Sequence, residues 1–432
     1  MIATNGEKQY NLRAYLFFWV GQMISQFGSN ILQFVIVIWI ALEYESALLL
    51  AISAFVGFTP FIVITPFAGV LVDRWNRKKV IISMDFLQAV ITTALILLFM
   101  FNAINILFLL LILALRSCCQ AFHSPAVDAI VPLLVPPEKL SRLNGWTWLV
   151  FGVIGIIGAP IAVFLLLFFE VHEVLLLDPL TFLLALVPAL IIKIPSVREK
   201  QTAKESSFKE EFGEGVEFIK ERQGLLSLLS VFTAVNLFMQ PFGVLLPLFV
   251  FQVHSLGTGE LALLYAAQSA GMLAGSVLMS TWKGFTRNVV GVVFGMAVLW
   301  FTWIIVIFTP TGDPNALVII TVARLVAGFT LPIMNVSSQT IWQQVVPPDK
   351  MGRVMSVRST IAWFVIPIGM LSSGILAELV GIVPLFFTCA VLGMAFLAYS
   401  WLMTGLPDVE KTLLPSETGK SLELPSLAAA EA

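Results

Sequence analysis

Long apolar runs broken by short polar ones set the frame of the chain. A helix needs about 20 apolar residues to cross a bilayer, and such runs recur at 14-42, 47-72, 79-101, 104-133, 141-168, 173-194, 224-253, 259-282, 288-309, 315-345, 353-380 and 382-405. The expectation is an all-α membrane protein of twelve transmembrane helices, numbered here as spans 1 to 12. Polar residues inside the runs fall at helical steps. Gln22, Gln26, Ser29 and Gln33 make one stripe on span 1. Span 4 carries Arg116, Gln120, His123 or Ser124, and Asp128 in the same rhythm; span 7 adds Asn236 and Gln240, and span 10 adds Arg324, Asn335 and Gln339. Four helices with one polar face each point to a shared substrate cavity. For any single glutamine, a hydrogen bond to a neighbouring helix is an equally good reading. A mid-helix arginine costs about 2.5 to 3.5 kcal/mol on insertion scales, so Arg116 and Arg324 are the stronger cavity candidates.

Charge placement orients the spans. Of the 24 Lys and Arg residues, 22 lie at the N-terminus, in or beside the connections after spans 2, 4, 6, 8 and 10, or in the C-terminal tail. The opposite connections carry Glu43, Glu45, Glu170, Glu173, Glu260 and Asp313 instead. By the positive-inside rule both termini are expected in the cytoplasm. Composition agrees with a multi-pass membrane protein: 59% hydrophobic, 12% charged, mean hydropathy +0.96. Cys118, Cys119 and Cys389 all fall inside apolar runs, so neither a disulfide framework nor a metal site is expected. No nucleophile–base constellation marks an enzyme, and no cofactor or nucleic-acid partner is expected. Gly419-Lys420-Ser421 imitates the end of a phosphate loop, but Leu414 stands where its first glycine belongs.

The longest connection divides the chain. Residues 1-13 form an N-terminal segment, 14-194 a first six-helix bundle, 195-223 a linker, 224-405 a second bundle, and 406-432 a tail expected to be disordered and cytoplasmic. In the linker, Phe208, Phe212, Val216 and Ile219 stand at helical spacing, predicting an amphipathic surface helix. The bundles are repeats: Val135-Pro136-Pro137-Glu138-Lys139-Leu140-Ser141-Arg142 returns 211 residues later as Val346-Pro347-Pro348-Asp349-Lys350-Met351-Gly352-Arg353, and Arg116 returns 208 residues later as Arg324.

The turn between spans 2 and 3 is the densest charge cluster between apolar runs. It reads Gly69-Val70-Leu71-Val72-Asp73-Arg74-Trp75-Asn76-Arg77-Lys78-Lys79. Gly69 is expected to allow close helix approach, Asp73 to accept hydrogen bonds at a helix terminus, and Asn76 to reverse the chain through a left-handed backbone. Gly69, Leu71, Asp73, Arg74, Arg77 and Lys78 match the signature of the major facilitator superfamily, which this stretch resembles, with Asn76 replacing the usual glycine. The second copy has decayed to Gly275.

The resemblance implies the major facilitator fold: two pseudo-symmetric six-helix bundles with a substrate site between them. It also implies a conformational latch of Gly69, Asp73, Arg74, Arg77, Asp128 and Arg358 that stabilises the outward-open state. Span 5, through Gly155, Gly158 and Pro160, is similar to the antiporter motif of superfamily exporters, with Ala159 inserted before the proline. Asp85, Asp128 and Asp178 are proton-coupling candidates, since a carboxyl group in an apolar pocket can load and unload a proton. For Asp85 and Asp128, an ion pair with nearby basic residues is the plainer reading. Span 1 holds no acid between Arg13 and Glu43, where many proton-coupled relatives have one.

Longer strings, among them Gly21-Gln22, Ile31-Leu32-Gln33, Arg116-Ser117, Ala121-Phe122-His123 and Gly352-Arg353-Val354, resemble the macrolide-efflux branch. What that resemblance implies is a monomer of the bacterial inner membrane that exports small amphiphilic molecules, such as macrolide-like drugs, in exchange for protons. Export of an endogenous metabolite such as a siderophore, peptide or lipid-like compound is the alternative.

Overall fold

The computed structural model describes residues 11–192 and 208–410 apart from Pro348; the side chains of Asp73, Pro132, Pro137, Ser141 and residues 208–211 lie outside that description. The N-terminal residues 1–10, most of the expected linker's first half (residues 195–207) and the tail from residue 411 also lie outside it.

Among the described residues, twelve helices are long and apolar enough to cross a membrane: Leu12–Tyr44, Ala47–Val72, Arg77–Met100, Ile106–Asp128, Glu138–Leu166, Val171–Ile191, Gln223–Val244, Thr258–Thr281, Asn288–Phe308, Ala316–Val345, Met351–Val380 and Ile382–Met403. They are the twelve expected spans, in two six-helix bundles. Short polar side chains start several of them. Asn11, Ser46, Asn76 and Asn105 each accept a hydrogen bond from the backbone N–H three residues on, at 3.0, 3.2, 3.1 and 3.0 Å, satisfying donors that a helix end leaves bare. Span 7 runs on through Leu246–Leu248 into a single π-helical turn, Phe249–Val253.

Two expectations for the turn after span 2 are corrected. Asn76 is extended, with φ −74° and ψ 103°, and caps span 3 instead of adopting a left-handed conformation. Asparagine serves both purposes, and here the N-cap is the one used. A Cβ added at Gly69 would meet no atom within 4 Å, so no close helix approach occurs there in this conformation. Lys78 instead ties the turn to span 6, donating to the carbonyls of Leu190 and Ile192 at 2.7 and 2.6 Å, where a cation complements a helix C-terminus.

The linker helix spans Phe208–Lys220. It docks on the start of span 11: Phe218 and Ile219 are buried, Arg353 pairs with Glu214, and a Cβ at Gly215 would lie 2.9 Å from the Arg353 carbonyl oxygen. Residues 406–410, expected to begin a disordered tail, are ordered. Leu406 and Val409 are buried, and the Glu410 carboxylate accepts from the backbone N–H groups of Asn288 and Val289 at 2.8 and 3.3 Å, capping span 9.

The halves meet unevenly. At the end bearing the acidic connections they are closed. Spans 2 and 11 pack tightly there, since a Cβ at Gly374 would lie 2.8 Å from the Ala47 carbonyl oxygen and 2.9 Å from Leu48 Cα. Glu378 of span 11 accepts from Ser46 Oγ at 3.0 Å and from the Leu48 N–H at 3.3 Å, and Gln252 donates to the Glu45 carbonyl at 2.9 Å. Gly374→Leu is therefore expected to open this end. Labelling of a Ser53→Cys thiol by an impermeant maleimide, in a background without native cysteines, rises several-fold, because overpacking of this kind costs about 1–3 kcal/mol. Unchanged labelling contradicts the seal.

Candidate functional site

At the other end, where the connections are basic, the halves part around a cavity of about 1200 Å³. Its walls come from the basic-end segments of spans 5, 7, 8, 10 and 11, running from Gly145 to Gly152, Leu228 to Asn236, Met272 to Ser280, Leu331 to Gln343 and Met355 to Trp363. Trp148, Phe232 and Trp363 give it broad apolar surfaces. Of the polar residues expected to line a cavity, Asn236, Asn335 and Gln339 do so. Asn236 Nδ2 donates to the Ala362 carbonyl and Asn335 Nδ2 to the Leu331 carbonyl, both at 2.8 Å. Gln240 lies one turn beyond Asn236, donating to its carbonyl at 2.8 Å.

The remaining expected lining residues are placed elsewhere. Gln22 is buried, Gln120 is half-buried, and Gln26 and Gln33 are exposed outside the cavity. Arg116 and Arg324 each lie inside their own half, for a physical reason: a charge in an apolar slab must find partners, and the bundle interiors supply them. Arg116 forms a fork with fully buried Asp178, Nη1 to Oδ2 at 2.6 Å and Nη2 to Oδ1 at 3.2 Å. Thr92 donates to Asp178 Oδ2 at 2.7 Å and Ser29 to Oδ1 at 2.8 Å, so spans 1, 3, 4 and 6 converge on one carboxylate. Arg116 Nη1 also contacts Thr92 Oγ1. Arg324 has no such acid. It donates to Gln268 Oε1, lies 5.2 Å from the centre of the Trp303 ring, and its Nε has no acceptor among the described residues.

Seven residues from Ser29, Thr92 and Arg116, on the same three helices and toward the basic end, stand Gln22, Asp85 and His123. Seven residues are about 10 Å of helix and nearly two full turns, so the three positions form a second layer of the same seam. His123 Nε2 approaches Asp85 Oδ1 to 2.9 Å. The approach lacks hydrogen-bond alignment, and neither Asp85 oxygen has another hydrogen bond among the described residues, although Asp85 is buried. The two acids thus differ sharply. Asp178 is saturated by four donors, whereas Asp85 has one histidine.

Of the expected latch, Arg358 and Asp128 are not paired with each other among the described residues. Arg358 faces the cavity and donates to Gln339 Oε1 at 2.6 Å. Asp128 is exposed without an ion pair among the described residues, the Asp73 side chain lies outside them, Arg74 is exposed, and Arg77 donates to the Ala129 carbonyl at 3.1 Å. The span 5 glycines lie at contacts between helices. A Cβ at Gly155 would lie 2.7 Å from Ser269 Oγ of span 8, and one at Gly158 would press on Asn30 of span 1; Pro160 sits inside the helix. The sequence missed two features: the pairing of Arg116 with Asp178, whose only signal was one unmatched arginine and one unmatched acid in different spans, and Arg358 as a cavity residue.

The model of the Major Facilitator Superfamily matches residues 18–309 and 259–429. Macrolide efflux protein A of Streptococcus pyogenes is 26% identical over 364 residues, covering 84% of this chain and 89% of that protein. The multidrug efflux pump Tap of Mycolicibacterium fortuitum is 26% identical over 362 residues, covering 80% and 84%. Among solved structures, the inward-facing state of a bacterial homologue of the iron transporter ferroportin is similar, with a TM-score of 0.68 and 16% identity over 91% of this chain and 99% of that one.

The Arg116–Asp178 pair sets a stability expectation. Asp178→Asn leaves a buried guanidinium without its counter-charge and is expected to cost about 3–5 kcal/mol, whereas Ser29→Ala removes one hydrogen bond to a charged group and costs about 1.5–3 kcal/mol. Thermal unfolding of the purified protein in detergent checks the order. Equal stability of Asp178→Asn and the parent contradicts it.

Proposed function

The chain belongs to the Major Facilitator Superfamily, and from that membership we propose that it is a secondary active exporter of amphiphilic small molecules that works by alternating access with proton antiport. The observation that carries the reading is the uneven cleft: sealed at the acidic end, open at the basic end, with an apolar and aromatic cavity between. Under the positive-inside rule the basic end is cytoplasmic, so this conformation faces inward and both termini lie in the cytoplasm. Arg358 and Asp128, unpaired with each other, fit the same state. In the outward-open state Asp73, Asp128 and Arg358 would come together, and the free space around Gly69 would be taken up.

Asp85 with His123 is the better place for an exchangeable proton than Asp178. Both oxygens of Asp178 are already taken by a bidentate arginine and two hydroxyls, and a proton would have to displace one of these donors. Asp85 is buried with one titratable partner, so gaining or losing a proton there disturbs less. The driving force is adequate. One charge crossing 100 mV gives about 2.3 kcal/mol, each pH unit adds about 1.4 kcal/mol, and tenfold accumulation costs about 1.4 kcal/mol.

Macrolide-like drugs are the first cargo to test, on the likeness to proteins named for macrolide and multidrug efflux. An endogenous carboxylated metabolite, such as a siderophore, peptide or lipid-like compound, is a second reading favoured by one observation: the charge lining the cavity is a cation. The protein acts as a monomer in the bacterial inner membrane in either case. Cells expressing it should accumulate at least about tenfold less labelled macrolide than control cells, which takes about 1.4 of the roughly 2.3 kcal/mol that one proton gives at 100 mV, a protonophore should restore accumulation, and Asp85→Asn should remove the difference while the protein remains in the membrane. Unchanged accumulation with verified membrane protein would turn the assignment from drugs to metabolites; flux indifferent to protonophore would overturn antiport.

A further inference from the structure

The charge of the cavity deepens the export reading, on which this inference rests. Among the described residues that line it, Arg358 is the one charged side chain, and no carboxylate faces it. Its guanidinium carries five N–H donors. Nη1 donates to Gln339 Oε1 at 2.6 Å and lies 3.7 Å from the Met355 sulfur, while Nε and Nη2 have no acceptor among the described residues. The Trp342 ring, 5.4 Å from the guanidinium carbon, lies beside it. Asn236 and Asn335 each spend one amide N–H on a backbone carbonyl. Arg358 is therefore where charged, unspent donors meet the cavity.

An unbalanced guanidinium in an apolar cleft matches one kind of ligand. A planar anion can take two parallel N–H bonds from its fork, and the low-polarity walls make that attraction stronger than in water. An organic cation meets the opposite: a fixed positive charge, with no acid to receive its own.

We propose that the cavity selects amphiphiles bearing an anionic group, a carboxylate in the first instance, held by Nε and Nη2 of Arg358 while Trp148, Trp363 and Phe232 take the apolar body. Arg358 is thereby a specificity residue, and amine-bearing drugs are poorer cargo than carboxylated ones.

The test uses the full chain in nanodiscs and three fluorescent probes of one length: dansyl-labelled undecanoic acid, its methyl ester, and the analogue with trimethylammonium in place of the carboxylate. Binding is read as the rise in dansyl emission above that of empty nanodiscs. The acid should bind about tenfold or more tightly than the cation, as expected for a charge-assisted bidentate contact. Arg358→Gln should erase the preference while the ester's affinity stays within about twofold, since the ester offers no charge to the fork. Arg358→Lys should keep only part of it, a point charge replacing a fork. Asn335→Asp, which adds an acid to the same cavity, should weaken the acid probe and strengthen the cation; it serves as the test if Arg358→Gln does not fold. A cation that binds as tightly as the acid, a preference that survives Arg358→Gln, or failure of all three probes to bind overturns the proposal. Binding is measured without transport, so an intact preference with no flux in proteoliposomes counts against the export reading alone.

Discussion

A guanidinium cannot stand bare in an apolar slab, and much of this molecule is arranged around three ways of meeting that constraint. Arg116 is neutralised by Asp178 and surrounded by hydroxyls from two further helices. Arg324, its repeat partner, has an amide oxygen and an aromatic face but no counter-charge among the described residues. Arg358 lies at the water-accessible cleft, with Gln339 as its one strong acceptor. The first welds spans 1, 3, 4 and 6 into a unit. The third leaves charge available to whatever enters. The halves share a frame inherited from one repeat and differ in what fills them: a polar seam in the first, and in the second an aromatic core where Phe242 stacks on Trp303 at 4.1 Å and packs on Phe386 at 4.6 Å.

Those interiors contrast with the seal between the halves. Each bundle is held by buried rings and buried aliphatic side chains, and the first also by a desolvated ion pair, all expensive to disturb. The closed end is held by close packing at Gly374 and a few hydrogen bonds at exposed rims, Ser46 to Glu378 and Gln252 to Glu45. Exposed polar contacts contribute little net stability. The joint is thus held more lightly than either interior, which suits the proposed rocking of one half against the other.

The twelve spans were legible because bilayer thickness imposes a length that composition must meet, and the repeat was legible because its Pro-Pro-acid-Lys turn survived twice. What the sequence hid were choices between local options and contacts between distant ones. Asn76 could have reversed the chain or capped a helix, and its neighbours do not say which. Gly69 matches a motif that implies close packing, yet packing at that position belongs to a conformation other than this one. The stripe on span 1 was real in spacing, but spacing does not tell which side faces a cavity and which a neighbouring helix. Arg116 was rightly singled out as costly and placed on the wrong side of its helix, because its partner lies 62 residues away. Residues 406–410 carry no apolar run, so their order, set by caps on span 9, left no sequence trace.

On the proposed mechanism, the two halves exchange a seal at one end for a seal at the other. Paired spin labels test it most directly, one pair at Lys139 and Lys350 across the basic end and one at Glu43 and Gln252 across the acidic end, with distances recorded at high and low pH in nanodiscs. The account predicts two populations at each pair, moving in opposite senses: as the basic end closes, the acidic end opens. Distances that stay fixed at both ends, or lengthen together, would contradict it.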